Sequence, residues 1–277
     1  WSSDVCSSDL TLSPSYKMLK SDSTEGQLLV IIESFGKINN DSVARLFQNT
    51  LIESFETNGW HSTWGATNFK GSTTSAELRE LLNTEGSYTE LLSREKSDRL
   101  ESLIKIKNRQ GFYTIAAHSY SKRMFEREIW WKNIGVSQAL FQEDILLKNS
   151  KLKINEESPF WGINDEDAFD FLQDQAPNKK TFGYFLTLNT HLPFVQSEQR
   201  IKTGKLPLLI DRLPDISQEA KQQLSRIVAI ITHIAKKARK EKWNKILIIG
   251  DHAPPFIDPK DRAFYSKNKV PYIFAYH

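Results

Sequence analysis

Hydrophobic and polar positions alternate along this chain between two kinds of segment. Short, continuous apolar runs occupy residues 27–32, 112–117, 182–188, 245–249 and 270–276, with the length and side-chain content of buried strands. Between them, apolar residues recur at helical spacing. Asn40 or Asp41 is placed to cap a helix whose apolar face carries Val43, Leu46, Phe47, Leu51 and Phe55. A second helix is predicted over about 121–133. A long amphipathic helix presents Leu224, Ile227, Val228, Ile231 and Ile234, and Asp215 with Gln218 has the spacing of a capping box at its start. Strands alternating with helices predict an α/β fold: a mainly parallel sheet with helices on both faces, in three layers. The polar stretch 148–178 reads as loop and short helix lying over the sheet, where it would help form a substrate rim.

Charge and composition narrow the function classes. The 277 residues include 37 basic and 34 acidic side chains, a formal net charge of +3. The densest basic run, Lys236-Lys237-Ala238-Arg239-Lys240, falls at the end of a predicted helix, where cations complement the helix dipole. No nucleic-acid partner is expected, because that needs positive charge clustered on one face. Cys6 is the only cysteine, which excludes an internal disulfide and a thiolate metal cluster. The opening ten residues repeat Ser-Ser-Asp and follow no periodicity, so residues 1–10 read as a non-native scar. Residues 11–277 are expected to form one catalytic domain, incomplete at both ends. No run approaches the ~20 apolar residues of a membrane span.

The candidate chemistry sits at predicted strand ends, where open α/β sheets bind their ligands. Glu33 follows the first apolar run, Asp251 and His252 follow the run 245–249, and His191 follows the run 182–188. Taken singly, each has an ordinary explanation as an ion pair or a hydrogen-bonded histidine. Together they make an oxygen-and-imidazole set suited to manganese, magnesium or zinc. A further element is Gly71-Ser72-Thr73-Thr74-Ser75-Ala76-Glu77-Leu78, small hydroxyl residues leading into a helix. Thr74 with Glu77 has the capping-box spacing, which would leave Thr73 just outside the cap. A helix start of this kind gathers free N–H groups and positive dipole, the setting that holds a phosphate.

The segments Glu33-Ser34-Phe35-Gly36, Gly71 through Leu78, Asn189-Thr190-His191-Leu192-Pro193-Phe194 and Gly250-Asp251-His252-Ala253-Pro254-Pro255-Phe256 occur in an order that resembles the lipoteichoic acid synthase family. Those enzymes, with the related phosphoglycerol and phosphoethanolamine transferases, are extracytoplasmic members of the alkaline phosphatase/sulfatase superfamily. The resemblance implies one divalent metal ion (manganese, magnesium or zinc) shared by Glu33, Thr73, Asp251 and His252, with Thr73 as nucleophile. Residues 118–127 resemble the family's substrate-binding helix; there Arg127 matches a phosphate-binding arginine, and His191 matches a histidine beside the phosphate. Phe125 and Glu126 depart from the family's tryptophan and asparagine, which bears on head-group specificity. The ordinary alternative for Arg127 is a surface ion pair with Glu126 or Glu128. The chain lacks the Cys-x-Pro-x-Arg or Ser-x-Pro-x-Arg pattern from which true sulfatases make formylglycine.

What the resemblance implies is transfer of a phospho-alcohol head group from a phospholipid donor to a glycan or lipid acceptor through a phosphothreonine. It also implies an outward-facing domain at the membrane surface, tethered in a longer parent by an N-terminal anchor. Two alternatives stay open: a phosphodiesterase- or sulfatase-like hydrolase with the same metal site, and a non-catalytic module binding anionic lipid or glycan. A dinucleotide-binding domain is disfavoured, since no Gly-x-Gly-x-x-Gly follows a strand.

Overall fold

The computed structural model describes residues 12–177, 180–193, 213 and 216–277. Residues 1–10 with Cys6, and the Asp215 of the expected capping box, lie outside the described residues. One sheet of seven strands runs in the order β2-β7-β6-β1-β5-β3-β4. The strands are β1 (Gln27–Ile32), β2 (His61–Asn68), β3 (Tyr113–His118), β4 (Gln138–Leu140), β5 (Thr181–Leu186), β6 (Lys245–Gly250) and β7 (Lys269–Tyr276). From β4 to β6 every pairing is parallel, while β7 runs antiparallel to both β6 and β2. The fold is therefore α/β with a mixed sheet, parallel over its centre.

The helices are α1 (Pro14–Leu19), α2 (Asp41–Glu56), α3 (Thr73–Leu82), α4 (Arg94–Asp98), α5 (Leu103–Arg109), α6 (Arg127–Asn133), α7 (Gln142–Lys148), α8 (Asp165–Gln175), α9 (Gln218–Lys237) and α10 (Pro259–Ala263). They cover both faces of the sheet, which is why β1 is apolar at nearly every position. Its residues alternate between two cores: Leu28, Val30 and Ile32 join α2, α8 and α9, whereas Leu29 and Ile31 join α1, α3, α5 and α6. Register then places the functional ends. Ile31 lies opposite Leu186 of β5 and Ile249 of β6, so the three central strands finish level.

Several local expectations need correction. Helix 121–133 is broken: a 3-10 turn covers Met124–Glu126, and regular α6 begins only at Arg127. Phe125 and Glu126 take φ of +55° and +53°, a left-handed conformation that no α-helix accommodates. Leu46 is exposed rather than on the buried face of α2, while Phe47, Leu51 and Phe55 are buried. Asn40, not Asp41, caps that helix, accepting from the amides of Ser42 and Val43. Ser217 caps α9 through the amide of Ala220. The stretch 148–178 contributes a core helix, α8, with Phe169 and Leu172 fully buried, while Phe160 and Trp161 of its 3-10 turn Pro159–Trp161 are exposed. The apolar pattern does not predict β2 or β4, because the first is polar and half-exposed and the second has three residues. Among the described residues, no helix is long and apolar enough to cross a membrane.

The corrected face of α2 gives a direct stability test. Leu51→Ala should cost about 2–5 kcal/mol through lost burial and the cavity left behind. Leu46→Ala should stay within about 0.5 kcal/mol. Denaturant midpoints at unchanged m-value compare the two.

Candidate active site

Three chain segments meet where β1, β5 and β6 end. Past β1, Ser34 turns back with φ of +56°, and every polar group of that residue is bonded. Its amide donates to Asp251 Oδ1 at 2.7 Å and its hydroxyl to Glu33 Oε1 at 3.0 Å, while its carbonyl accepts from Gln223 Nε2 of α9. A strained residue persists only when its surroundings over-determine it, as they do here. Gly250, the last residue of β6, lets this turn approach: a Cβ there would stand 2.0 Å from the Phe35 carbonyl oxygen. On the other side, Thr187 Oγ1 accepts from the Glu33 amide at 2.9 Å. From below, Arg79 of α3 donates to the Gly250 carbonyl at 2.9 Å while its Nε bonds Glu80 at 2.6 Å.

This arrangement brings Glu33, Asp251 and His252 together, with one ligand atom of each within 4.8 Å of the others. His252 Nε2 is 3.3 Å from Glu33 Oε1 and 3.3 Å from Asp251 Oδ2. Its other nitrogen, Nδ1, lies 2.9 Å from the Ala253 carbonyl, so the ring donates there and can offer Nε2 as a ligand. Burial pushes Asp251 up, and the neighbouring Glu33 charge pushes it further, to about 7. Burial also works against Glu33, yet the hydrogen bond and charge of His252 outweigh it and hold that carboxyl at about 2. His252 itself is raised to about 10: burial opposes its charge, and the two carboxylates overcome it. One imidazolium thus stands between two buried carboxylates, and Asp251 Oδ2 has no hydrogen-bond partner. Two carboxylates, an imidazole and an orphaned buried oxygen fit a divalent cation, which would take the place of the His252 Nε2 proton and neutralise both carboxylates.

Thr73 joins this group. It is the first residue of α3, and its hydroxyl donates to Glu33 Oε2 at 2.8 Å. The cap differs from expectation. Ser72, not Thr74, is the N-cap, and it makes no side-chain cap bond; Thr74 Oγ1 is 3.3 Å from Ser72 Oγ. Glu77 forms no capping box because its carboxylate is turned into the core.

A cavity of about 360 Å³ opens beside Thr73. Glu33, Ser72, His252, His118, His191 and Arg127 all line it, between apolar walls that include Phe69, Phe125 and Pro255. Arg127 is buried and pairs with Glu77 at 2.8 Å, not with Glu126 or Glu128, so the surface-pair alternative is overturned. His191 stacks edge-on against Phe160, with ring centroids 4.9 Å apart, and its Nδ1 has no partner. Glu33, Thr73, His252, Arg127 and His191 therefore line one space, and Asp251 stands behind it against His252.

Sequence reasoning missed three contributors. His118 ends β3 with Nδ1 3.1 Å from the Leu186 carbonyl and its Nε2 unpartnered at the cavity. It follows an apolar run just as Glu33 does, and that position is its signal. Burial, helped by Arg127, drives His118 down to about 3. Asp165, at the start of α8, accepts from Ser119 Oγ and from the Leu188 and Asn189 amides at 2.9 and 2.7 Å, holding the loop that carries His191. Burial raises that carboxyl to about 7 against those bonds. Nothing in an acidic first turn distinguishes such a residue. Glu77, the third, has the spacing of a capping partner.

Two outcomes are expected. His118 should remain neutral, protonated on Nδ1, from neutral pH down to about 3, as imidazole nitrogen NMR would show. Because its folded-state value is depressed, its contribution to stability is complete above about 6.5 and is lost as pH falls toward about 3. Gly250→Ala should push the Ser34 turn from Asp251 and weaken manganese or zinc binding about 10–100-fold in calorimetric titration, with the circular dichroism unchanged.

The sequence profile of the sulfatase family matches residues 28–275. Among curated proteins, none matches the chain by sequence. Among solved structures, the chain is similar to the lipoteichoic acid synthase LtaP from Listeria monocytogenes, at 15% identity and TM-score 0.59, covering 94% of this chain and 70% of that one. It is similar to the phosphoglycerol transferase GacH from Streptococcus pyogenes, solved with sn-glycerol-1-phosphate, at 17% identity and TM-score 0.56, covering 94% and 72%. It is also similar to the C-terminal periplasmic domain of EcEptC from Escherichia coli, solved with Zn, at 13% identity and TM-score 0.56, covering 93% and 74%. At these identities the likeness is one of fold. The profile match is broader in meaning, since it runs from β1 to β7 and takes in every residue of the candidate site: the chain belongs to the sulfatase family, within the alkaline phosphatase/sulfatase superfamily.

Proposed function

We propose that residues 11–277 are the catalytic domain of a metal-dependent transferase. It would move a phospho-alcohol head group, of phosphoglycerol or phosphoethanolamine type, from a phospholipid to a glycan or lipid hydroxyl through a phosphothreonine at Thr73. The observation that carries this reading is the Thr73 hydroxyl, 2.8 Å from Glu33 at the mouth of a cavity that Arg127, His118 and His191 also line. Solved relatives by fold include a phosphoglycerol transferase with sn-glycerol-1-phosphate and a lipoteichoic acid synthase, which supports the choice of substrate class. A periplasmic relative supports an extracytoplasmic location at the membrane surface, in a membrane-anchored parent.

Glu33, Asp251 and His252, with Thr73, would hold one divalent ion, manganese, magnesium or zinc. When bound, the ion supplies Lewis-acid charge that makes a threonine hydroxyl a competent nucleophile near neutral pH. The rest is done by the chain. Thr73 already donates its proton toward Glu33, leaving a lone pair on Oγ1 for phosphorus. Its oxygen forms the new bond to phosphorus as the bond to the lipid alcohol breaks, and His191 is placed to give the departing oxygen a proton. Arg127 and the first-turn amides of α3 stabilise the charged phosphoryl oxygens. His118, neutral and with Nε2 bare, accepts a hydrogen bond from a substrate hydroxyl. In the second half an acceptor hydroxyl gives its proton to His191, restoring it, and attacks phosphorus; the bond to Thr73 Oγ1 breaks, and Thr73 takes back its proton from the Glu33 side.

Incubation with phosphatidylglycerol in detergent should leave a head-group adduct on the Thr73 peptide, visible by mass spectrometry, and release diacylglycerol. Chelation should abolish the adduct, and manganese or zinc should restore it. Thr73→Ala should lower turnover by roughly 10³-fold or more. Thr74→Ala should leave it largely intact, because Thr74 does not line the cavity. Adduct formation in metal-free protein, or on another residue, would reject the assignment. Release of free phospho-alcohol at one rate with and without acceptor would identify a hydrolase instead.

A further inference from the structure

The residue that holds Arg127 is carried by the nucleophile's own helix. Glu77 sits one turn after Thr73 on α3 and is completely buried. Its Oε2 accepts from Arg127 Nη2 at 2.8 Å and from Nε at 3.1 Å, and its Oε1 accepts from Trp131 Nε1 at 3.0 Å and Tyr184 OH at 2.9 Å. Those donors come from α6 and β5, so one carboxylate ties three elements together. A carboxylate offers about four acceptor positions, and this one is filled. Arg127 gives its remaining bonded hydrogen to the Met124 carbonyl at 3.3 Å, which leaves one hydrogen each on Nη1 and Nη2 at a residue that lines the cavity.

We infer that Glu77 is a positioning residue: through a fork on Nε and Nη2 it fixes the Arg127 guanidinium relative to Thr73, so that anion-binding group and nucleophile keep one geometry. This rests on the proposed transferase reading, in which Arg127 meets the phosphoryl group. A buried ion pair is a poor device for stability alone, since apolar replacements often do as well. It does set direction. The guanidinium is planar, and engaging its Nε edge determines which edge remains for a ligand. Burial and the Glu77 charge both raise the Tyr184 hydroxyl well above its ordinary value, which keeps it a donor to the same carboxylate. α3 does not need Glu77 as a cap partner, because Ser72 already begins the helix without it.

The test is a double-mutant cycle on the full chain, with sn-glycerol-1-phosphate binding followed by calorimetry and hydrolysis of bis(4-nitrophenyl) phosphate by kinetics. Arg127→Met should weaken binding about 10²-fold. Glu77→Gln should weaken it about tenfold and raise KM while lowering kcat. In the double variant, Glu77→Gln should add less than about twofold, because no guanidinium remains to be misplaced. A merely structural Glu77 would lower apparent kcat with KM unchanged, and its penalty would add in full to that of Arg127→Met; either result overturns the inference. Should Glu77→Gln show no cooperative melt, Glu77→Asp carries the same cycle, keeping the charge on a shorter arm, and is held to the same criteria. Loss of binding in Arg127→Met with wild-type behaviour in a folded Glu77 variant would defeat this inference and leave the transferase reading standing. Wild-type protein that neither binds the ester nor responds to Arg127→Met would defeat both.

Discussion

Two carboxylates buried side by side at the ends of adjacent parallel strands are the constraint on which this site depends. Parallel register brings β1 and β6 to a level finish, and Glu33 and Asp251 follow within a residue of it. Desolvating one carboxylate is costly, and desolvating a pair is more so. The surroundings are built to hold this pair regardless. Ser34 accepts a left-handed backbone to present its amide to Asp251, Gly250 forgoes a side chain so that Phe35 can pass, and Arg79 braces the end of β6. His252 supplies one positive charge for two negative ones. The opposing directions of the two carboxyls, Glu33 held low and Asp251 pushed high, express that shortage.

The cavity is lined by Glu33, Thr73 and His252 together with Arg127, His118 and His191. Apolar walls from Phe69, Phe125 and Pro255 reduce the local dielectric, which strengthens the field of the charged groups among them. Sulfatase-family membership does not bring formylglycine chemistry with it here, because the chain has neither precursor pattern. The hydroxyl that meets Glu33 belongs to a threonine at a helix start.

Much of this is legible in the amino-acid sequence. β1 and β6 can be read within a residue because both faces of the sheet are covered, making each strand a continuous apolar run. Glu33, Asp251 and His252 can be read because they follow such runs immediately. Register decides the rest, and register leaves no local mark. His118 ends an apolar run too, but the segment beyond it has helical spacing, and the left-handed pair Phe125 and Glu126 breaks that helix without any glycine or proline to announce it. At Thr73 the cap lies two residues from the expected position, since the spacing of Thr74 and Glu77 satisfies a local pattern that the core outbids. Leu46 departs from expectation for a related reason: helical spacing marks a face, and only packing decides how wide that face is.

Glu77 and Asp251 show why burial of an acid does not by itself indicate a ligand. Both are completely buried. Glu77 meets four donors from Arg127, Trp131 and Tyr184, including a full guanidinium charge, so its field closes within the protein. Asp251 Oδ1 meets two backbone amides, and Oδ2 meets nothing except an imidazole already shared with Glu33. The first acid is complete and can act only on what it holds. The second is incomplete, and what completes it must carry positive charge. Donor count separates an acid that positions from an acid that binds. Thr73 belongs to both settings, because its hydroxyl meets Glu33 beside Asp251 while its helix carries Glu77.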